Sequence, residues 1–229
     1  MKPDQMLKPK VIVFDVYETL LTMSDVERKV NQVMDSSRGY TIWFELFMQY
    51  CFANNSLDSF QDFISIGKAT LQVTASKLGS SVSDAEANDV LTLLKHLPVH
   101  EDVPSCLSEL KDSGYTIMAL TNAPEKLVFE RMERTGLVSY FDEVLSAETV
   151  KKYKPDKTVY QWAAEKIKSN VSEILLITAH GWDIAGAANA GMKTAFLKRH
   201  KEFLFPLSPE PDLTGNQLSE LVSVLTTLK

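Results

Sequence analysis

Four short runs of apolar, often β-branched residues narrow what this chain can fold into: VIVFD (11–15), YTIMALTN (115–122), DEVLSA (142–147) and EILLIT (173–178). KTAFLK (193–198) makes a fifth. Each has the length of a strand and closes on polar or small residues. Helical patterns separate them, at PSCLSELKDSG (104–114), EKLVFERMERTG (125–136), DKTVYQWAAEKIK (156–168) and WDIAGAANAG (182–191). Gly114, Gly136 and Gly191 stand where three of those helices must stop. Strands and helices alternating over short links make right-handed βαβ units and a mostly parallel sheet. Runs this continuously apolar suit strands buried on both faces.

Between 24 and 96 the rhythm breaks. That region has no strand-like run and reads as helices throughout, with Trp43, Phe44, Leu46, Phe47 and Tyr50 at helical spacing. The spacing predicts that these side chains form the core of a helical insert. The expected architecture is an α/β, Rossmann-like parallel-sheet core domain made of 1–23 and 97–229. A helical cap domain, 24–96, is inserted after the first strand. An insert there can lie over that strand's carboxyl end, where open α/β sheets bind ligands.

Composition excludes several function classes. Thirty acidic residues against 24 basic give a net charge of −6, and no basic block is present, so nucleic acid is not an expected partner. No stretch approaches the roughly 18 apolar residues a membrane span needs. The start, MKPDQMLKPK, is polar and lacks an apolar signal region. Cys51 and Cys106 lie in unrelated helical contexts, which predicts reduced thiols and a cytoplasmic setting. Four scattered histidines and two cysteines show no metal-ligand spacing, so no metal and no cofactor are expected.

Asp15 ends the first strand, where a lone aspartate could merely cap a turn. Three further strand-end features change its meaning. The second strand ends in Thr121–Asn122, a Lys154–Pro155–Asp156 turn precedes a helix, and a later strand ends in Thr178, followed by His180 and Asp183. A parallel sheet brings all four to one crevice. A carboxylate nucleophile, a hydroxyl–amide pair, a lysine and a second carboxylate make a coherent site for handling anions.

With these residues in view, the sequence resembles the haloacid dehalogenase superfamily. FDVYETL is similar to its first motif, LTN to its second, YKPDKTVY to its third and ITAHGWDIAGAANAG to its fourth. Order and spacing hold over about residues 10 to 225. Within the superfamily the likeness is to the (S)-2-haloacid dehalogenases, whose insert is a helical cap over the site. The resemblance implies that Lys154 offsets the repulsion between Asp15 and a substrate carboxylate, and that Asp183 holds Lys154. It implies that Thr121 binds the substrate carboxylate and Asn122 helps cradle the halide. Thr19 holds the second oxygen of Asp15, and Tyr160 lies near Lys154. Tyr17, Phe44 and Trp182 line the substrate pocket.

Two departures separate this sequence from the superfamily's phosphatases. Those enzymes carry a second aspartate two residues after the nucleophile, which protonates an alkoxide whose conjugate acid has a pKa of roughly 16. Such general acids contribute on the order of 10² to 10⁴ in rate, and here the position is Tyr17. The phosphatases also bind Mg²⁺ through an aspartate where this chain has Thr178, which removes charge and an oxygen ligand. A halide leaves as a stable anion and needs no proton. The expected reaction is therefore metal-independent: Asp15 attacks the halogen-bearing carbon of a short 2-halocarboxylate, and water hydrolyses the resulting ester. A phosphatase or phosphonate hydrolase with unusual motifs, and a quiet anion-binding relative, are the alternatives.

Two further departures lie within the dehalogenase pattern. The arginine that follows the cap tryptophan is replaced by Phe44, with Arg38 upstream as a possible substitute. His180 stands where the family usually has asparagine, which positions the hydrolytic water together with the residue matching Thr178. An imidazole can also take a proton, and Glu18 sits at a neighbouring strand end where many relatives carry glycine. The sequence thus predicts a His180–Glu18 dyad that activates water. A homodimer is compatible with the aromatic insert.

Overall fold

The computed structural model describes residues 7–57, 59–199 and 202–228, so most of the polar start lies outside the described residues. Its centre is a six-stranded, all-parallel sheet: β1 (Val11–Phe14), β2 (Thr116–Thr121), β3 (Glu143–Ser146), β4 (Ile174–Thr178), β5 (Lys193–Leu197) and β6 (Leu213–Gly215). The spatial order is β3-β2-β1-β4-β5-β6. All five predicted strands are present. Asp15, Asn122 and Ala147, which ended three of the predicted runs, fall just outside the ladders. The sixth strand, LTG, is too short to carry a periodic signal.

Burial explains the apolar runs. All four residues of β1 are buried, and the period of two divides them between two cores. Ile12 and Phe14 face one cluster, together with Leu107 and Leu110 from α5 (Val103–Asp112) and Leu221 and Leu225 from α9 (Leu218–Leu225). Val11 and Val13 face the other, with Val159 and Ala163 from α7 (Lys157–Ile167) and Ala187 from α8 (Gly181–Ala190). Fully burying such a side chain contributes about 1.5–3 kcal/mol. α6 (Glu125–Arg134) completes the predicted helices.

Among the described residues of 24–95 the elements are all helical: α1 (Ser24–Val33), α2 (Gly39–Asn54), α3 (Phe63–Lys77), α4 (Asp84–Thr92) and a short 3₁₀ turn. Local chemistry starts two of them. Asp62 accepts a hydrogen bond from the Ser65 backbone N–H at 2.9 Å, and Ser83 with Glu86 forms a capping box. α2 is apolar around most of its circumference. Trp43 and Phe47 are buried, and the Trp43 indole donates to the Gly67 carbonyl of α3 at 3.1 Å. The expectation that all five α2 residues are core is corrected here. Leu46 and Phe44 are half-buried, and Tyr50 is 49% exposed, because one helix has more apolar faces than two neighbours can cover.

Polar bonds tie this helical region to the loop that precedes α7. Asn55 donates to the Tyr153 carbonyl and accepts from the Tyr153 N–H, both at 2.8 Å. The Tyr153 hydroxyl donates to the Gln61 carbonyl at 2.7 Å. Cys51 and Cys106 are buried free thiols on different helices. No helix among the described residues is long and apolar enough to cross a membrane.

Candidate active site

The chain leaves β1 in a tight turn. The Asp15 N–H donates to the Ile177 carbonyl of β4 at 3.0 Å, and Leu20 and Leu21 both donate back to the Val16 carbonyl. That turn returns Thr19 to Asp15, four residues on. The Thr19 hydroxyl donates to Asp15 Oδ2 at 2.8 Å and accepts from the Ala179 N–H at 3.0 Å, stitching the ends of β1 and β4 together. Glu18 has φ +59°, a left-handed conformation disfavoured for a residue with a Cβ.

Lys154 lies between two carboxylates with no exposure to solvent. Its ammonium donates to Asp15 Oδ1 at 2.8 Å, to Asp183 Oδ2 at 2.7 Å and to the Leu120 carbonyl at 3.0 Å. All three of its donors are thereby used. The Tyr160 hydroxyl donates to Asp183 Oδ1 at 2.6 Å, so neither Asp183 oxygen is bare. Burial alone would raise the pKa of Asp15. The charges of Lys154 and His180, with hydrogen bonds from Lys154 and Thr19, outweigh burial and hold it below the usual carboxylate value. Burial would likewise neutralise Lys154, but Asp15 and Asp183 hold it charged. Asp15 is therefore an ionised carboxylate in a dry setting, fixed at both oxygens.

A small chamber of about 20 Å³ opens beside Asp15, roughly the room one water requires. Tyr17, Phe44, Met48, Phe63, Thr121, Asn122, Ala123, His180 and Trp182 complete its wall. An outer cavity of about 620 Å³ shares Phe44, Met48, His180 and Trp182 with that chamber and adds Glu18, Glu27, Glu45, Arg199 and Glu202 among others. Phe44, His180 and Trp182 form a partition between the two. The His180 ring stacks on Trp182 at 4.9 Å, and Phe44 lies 6.1 Å from it.

Several predicted residues come together as the motifs suggested. Asp15, Thr19, Lys154 and Asp183 form one bonded network, and Tyr17, Phe44, Thr121, Asn122, His180 and Trp182 line the chamber. Others occupy different positions from those expected. Tyr160 and Thr178 do not line either cavity. Tyr160 sits behind Lys154 and reaches it through Asp183, while the Thr178 hydroxyl accepts the His180 N–H at 3.1 Å in the turn that leads into α8. The Asn122 side chain brackets the Lys154 backbone, donating to its carbonyl at 3.2 Å and accepting from its N–H at 2.7 Å. Arg38 is exposed at the start of α2 and lines neither cavity, so it does not take the place of the absent arginine.

The His180–Glu18 pairing is also corrected. Glu18 accepts a hydrogen bond from the Tyr40 hydroxyl at 2.7 Å, because its left-handed backbone aims the side chain toward α2. His180 Nδ1 instead lies 3.2 Å from Glu202, and Nε2 lies 3.1 Å from the Tyr17 carbonyl and 3.6 Å from Asp15 Oδ2. Both ring nitrogens face oxygens that only accept, so both carry hydrogen and the ring is an imidazolium. Burial opposes that charge. The bond and charge of Glu202 outweigh it, with Asp15 and Asp183 adding to the effect, and the pKa is pushed up to about 9. Glu202 has no motif to announce it; it lies 22 residues from His180 on a loop after β5. Among the described residues no group of three His, Cys, Asp or Glu side chains could hold a metal ion.

A buried, ionised carboxylate at the end of the first strand and a buried lysine between two acids sit on a parallel-sheet α/β fold with a run of helices after its first strand. Residues 9–191 match the haloacid dehalogenase-like hydrolase family, and the chain belongs to it. The (S)-2-haloacid dehalogenase 4A of Burkholderia cepacia is 27% identical over 222 residues, covering 94% of each chain. A phosphoglycolate phosphatase of Vibrio parahaemolyticus is 34% identical over 133 residues, 58% of each chain. Among solved structures, an L-2-haloacid dehalogenase superposes with a TM-score of 0.89 at 20% identity, covering 96% of this chain and 100% of the other. The L-2-haloacid dehalogenase of Xanthobacter autotrophicus with chloropropionic acid covalently bound gives 0.87 at 21% identity, over 98% of this chain and 100% of the other.

Proposed function

We propose that this hydrolase is a metal-independent 2-haloacid dehalogenase that converts short 2-halocarboxylates into 2-hydroxy acids. One observation carries the reading: an ionised Asp15, clamped at one oxygen by Lys154 and at the other by Thr19, opens onto a dry chamber with no second carboxylic acid in its wall. An enzyme that expels an alkoxide needs such an acid to supply the proton, and one that expels halide does not. That distinction outweighs the partial likeness to a phosphatase.

In the first half-reaction an Asp15 oxygen attacks C2, the C–O bond forms, and the C–halogen pair departs as halide. Lys154 and the His180 imidazolium lessen the repulsion between Asp15 and the substrate carboxylate, the second cation supplying charge that Phe44 does not. Thr121 is the hydroxyl for that carboxylate and Asn122 adjoins the halide. Phe44, Met48 and Trp182 must yield, because the chamber as it stands admits little more than a water. In the second half-reaction water attacks the ester carbonyl of Asp15. Esterification removes the negative charge beside His180, which favours loss of its proton, and the neutral ring then accepts a proton from the attacking water. Glu202 orients the ring; Tyr160 and Asp183 act through Lys154, and Thr178 through the backbone of His180.

The division into a core of 1–23 with 97–229 and a cap of 24–96 belongs to the same proposal, with the chamber between them. The acidic composition supports a small-molecule substrate rather than nucleic acid, and the free thiols support the cytoplasm. Exposed Tyr50 and Val73 on the inserted helices, and Leu57 in the turn after α2, support a homodimer.

The test is halide release from 2-chloropropionate and bromoacetate, with and without EDTA, with Asp15→Asn as control. We expect release that EDTA leaves unchanged and that Asp15→Asn abolishes. Absence of halide release from the wild-type protein, or turnover of a phosphate ester that EDTA abolishes, would falsify the reading.

A further inference from the structure

The Tyr17 hydroxyl is, among the described residues, the one buried side-chain oxygen or nitrogen with no hydrogen-bond partner. A buried polar group left unpaired is costly, and proteins keep few of them. Tyr17 lines the chamber that contains Asp15, two residues before it. Its position is closely held. The Tyr17 carbonyl accepts from His180 Nε2 at 3.1 Å, and the ring packs edge-on against Phe63 with centroids 6.2 Å apart. Burial holds the phenol well above its usual pKa, so it keeps its proton and remains a donor.

Of the chamber's other donors, the Thr121 hydroxyl accepts the Ala123 N–H and is assigned to the substrate carboxylate, one amide hydrogen of Asn122 stays free, and Lys154 and His180 are committed. Lys154 has all three hydrogens bonded, and Asn122 spends one amide hydrogen and its oxygen on the Lys154 backbone. Both ring nitrogens of His180 already face acceptors, and Phe44 offers only carbon. A halide leaving the carbon that Asp15 attacks must nevertheless be solvated within a site too small to admit bulk water.

We infer that the Tyr17 hydroxyl is the catalytic donor that receives the departing halide. This rests on the dehalogenase reading and deepens it by naming the leaving-group site. As the Asp15 oxygen bonds to C2, the C–halogen electron pair leaves with the halogen, and the halide accepts a hydrogen bond from Tyr17 Oη–H. No proton is transferred, and the phenol is unchanged at the end of the step. Hydrogen bonds to a small, hard anion are the strongest, so the contribution must grow from bromide to chloride to fluoride.

The experiment is Tyr17→Phe, which keeps the ring and removes only the oxygen. Rates of halide release from fluoro-, chloro- and bromoacetate are compared, and bromide sites are located by anomalous diffraction in Asp15→Asn crystals with and without the second change. We expect kcat on chloroacetate to fall on the order of tenfold or more with KM little changed. The loss should be smaller on bromoacetate and larger on fluoroacetate. A bromide should lie within hydrogen-bond distance of Tyr17 in Asp15→Asn and be absent from the double variant. The melting temperature should hold or rise, since an unpaired buried hydroxyl is removed, which a packing role does not predict. Equal losses for all three halogens, a change confined to KM, or bromide retained without the hydroxyl would overturn the inference. If the wild-type protein releases no halide from any 2-haloacid, the dehalogenase reading fails, and the bromide sites still decide whether Tyr17 binds halide.

Discussion

The core side of the chamber and the side formed by the inserted helices are built by opposite means. On the core side Asp15, Lys154, Asp183 and Tyr160 form an unbroken chain of short bonds, with two carboxylates sharing one cation away from water. On the other side Phe44, Met48 and Phe63 present carbon, and the polar contacts to the core run around the rim, at Asn55 and Tyr40. The charged floor has one low-energy arrangement, because its two buried carboxylates depend on the single cation of Lys154 between them. The aromatic side can repack at modest cost. On the proposed function, the floor carries the chemistry and the inserted helices govern which substrates reach it.

The comparison breaks most visibly at Lys154. Lys154→Met leaves Asp15 and Asp183 facing each other unneutralised. We expect halide release to vanish and stability at pH 7 to fall by about 3–5 kcal/mol, measured by urea denaturation. In the wild-type protein the lowered pKa of Asp15 contributes stability above its unfolded value that is lost on acidification. In the variant the sign reverses: the two carboxyls must be neutral to be buried, so stability should rise as pH falls. A variant whose stability still drops on acidification would show that Lys154 is not what keeps the pair ionised.

A medium effect is expected at Glu202, where the floor meets the outer cavity. His180 has its pKa raised to about 9. That charge stabilises the fold fully below the ordinary histidine value of about 6.5, and the contribution disappears as pH rises through about 9. Glu202→Gln should cost about 1–2 kcal/mol at pH 6 and almost nothing above pH 9. If the neutral His180 ring is the base for ester hydrolysis, kcat should rise with pH, and Glu202→Gln should move that rise to lower pH, since a neutral ring is then easier to reach. Equal destabilisation at both pH values would argue that Glu202 acts by packing.

The smallest effect belongs to the rim. Asn55→Ala removes two hydrogen bonds to the Tyr153 backbone, at an expected cost of about 1–2 kcal/mol. KM should rise more than kcat falls, because the change loosens the inserted helices and leaves the floor intact. A collapse of kcat with unchanged KM would merge the two sides into one unit.

Much of this division is legible before any coordinates. Parallel strands bring their carboxyl ends to one edge, so Asp15, Thr121, Asn122 and His180 are placed together by topology, and Thr19 returns to Asp15 within one turn of chain. The pairing of Lys154 with Asp183 is legible only through the family resemblance, since the two meet from a loop and a helix that are distant in sequence. The three-residue β6 is not readable, since three residues carry no period. Nor is the exposure of Tyr50, since composition does not say which faces of α2 are covered.

The sequence by itself determined the sheet, the inserted helices, the carboxylate that ends the first strand and the absence of a second acid at position 17. Tertiary structure alone decided the partner of His180. A left-handed backbone at Glu18 turns that carboxylate to Tyr40, and a distant loop supplies Glu202 instead. It also decided that the Tyr17 hydroxyl has no partner. Local chemistry along the chain can be read from residue order, whereas hydrogen-bond satisfaction depends on every neighbour in space, and those neighbours are chosen only when the whole fold closes.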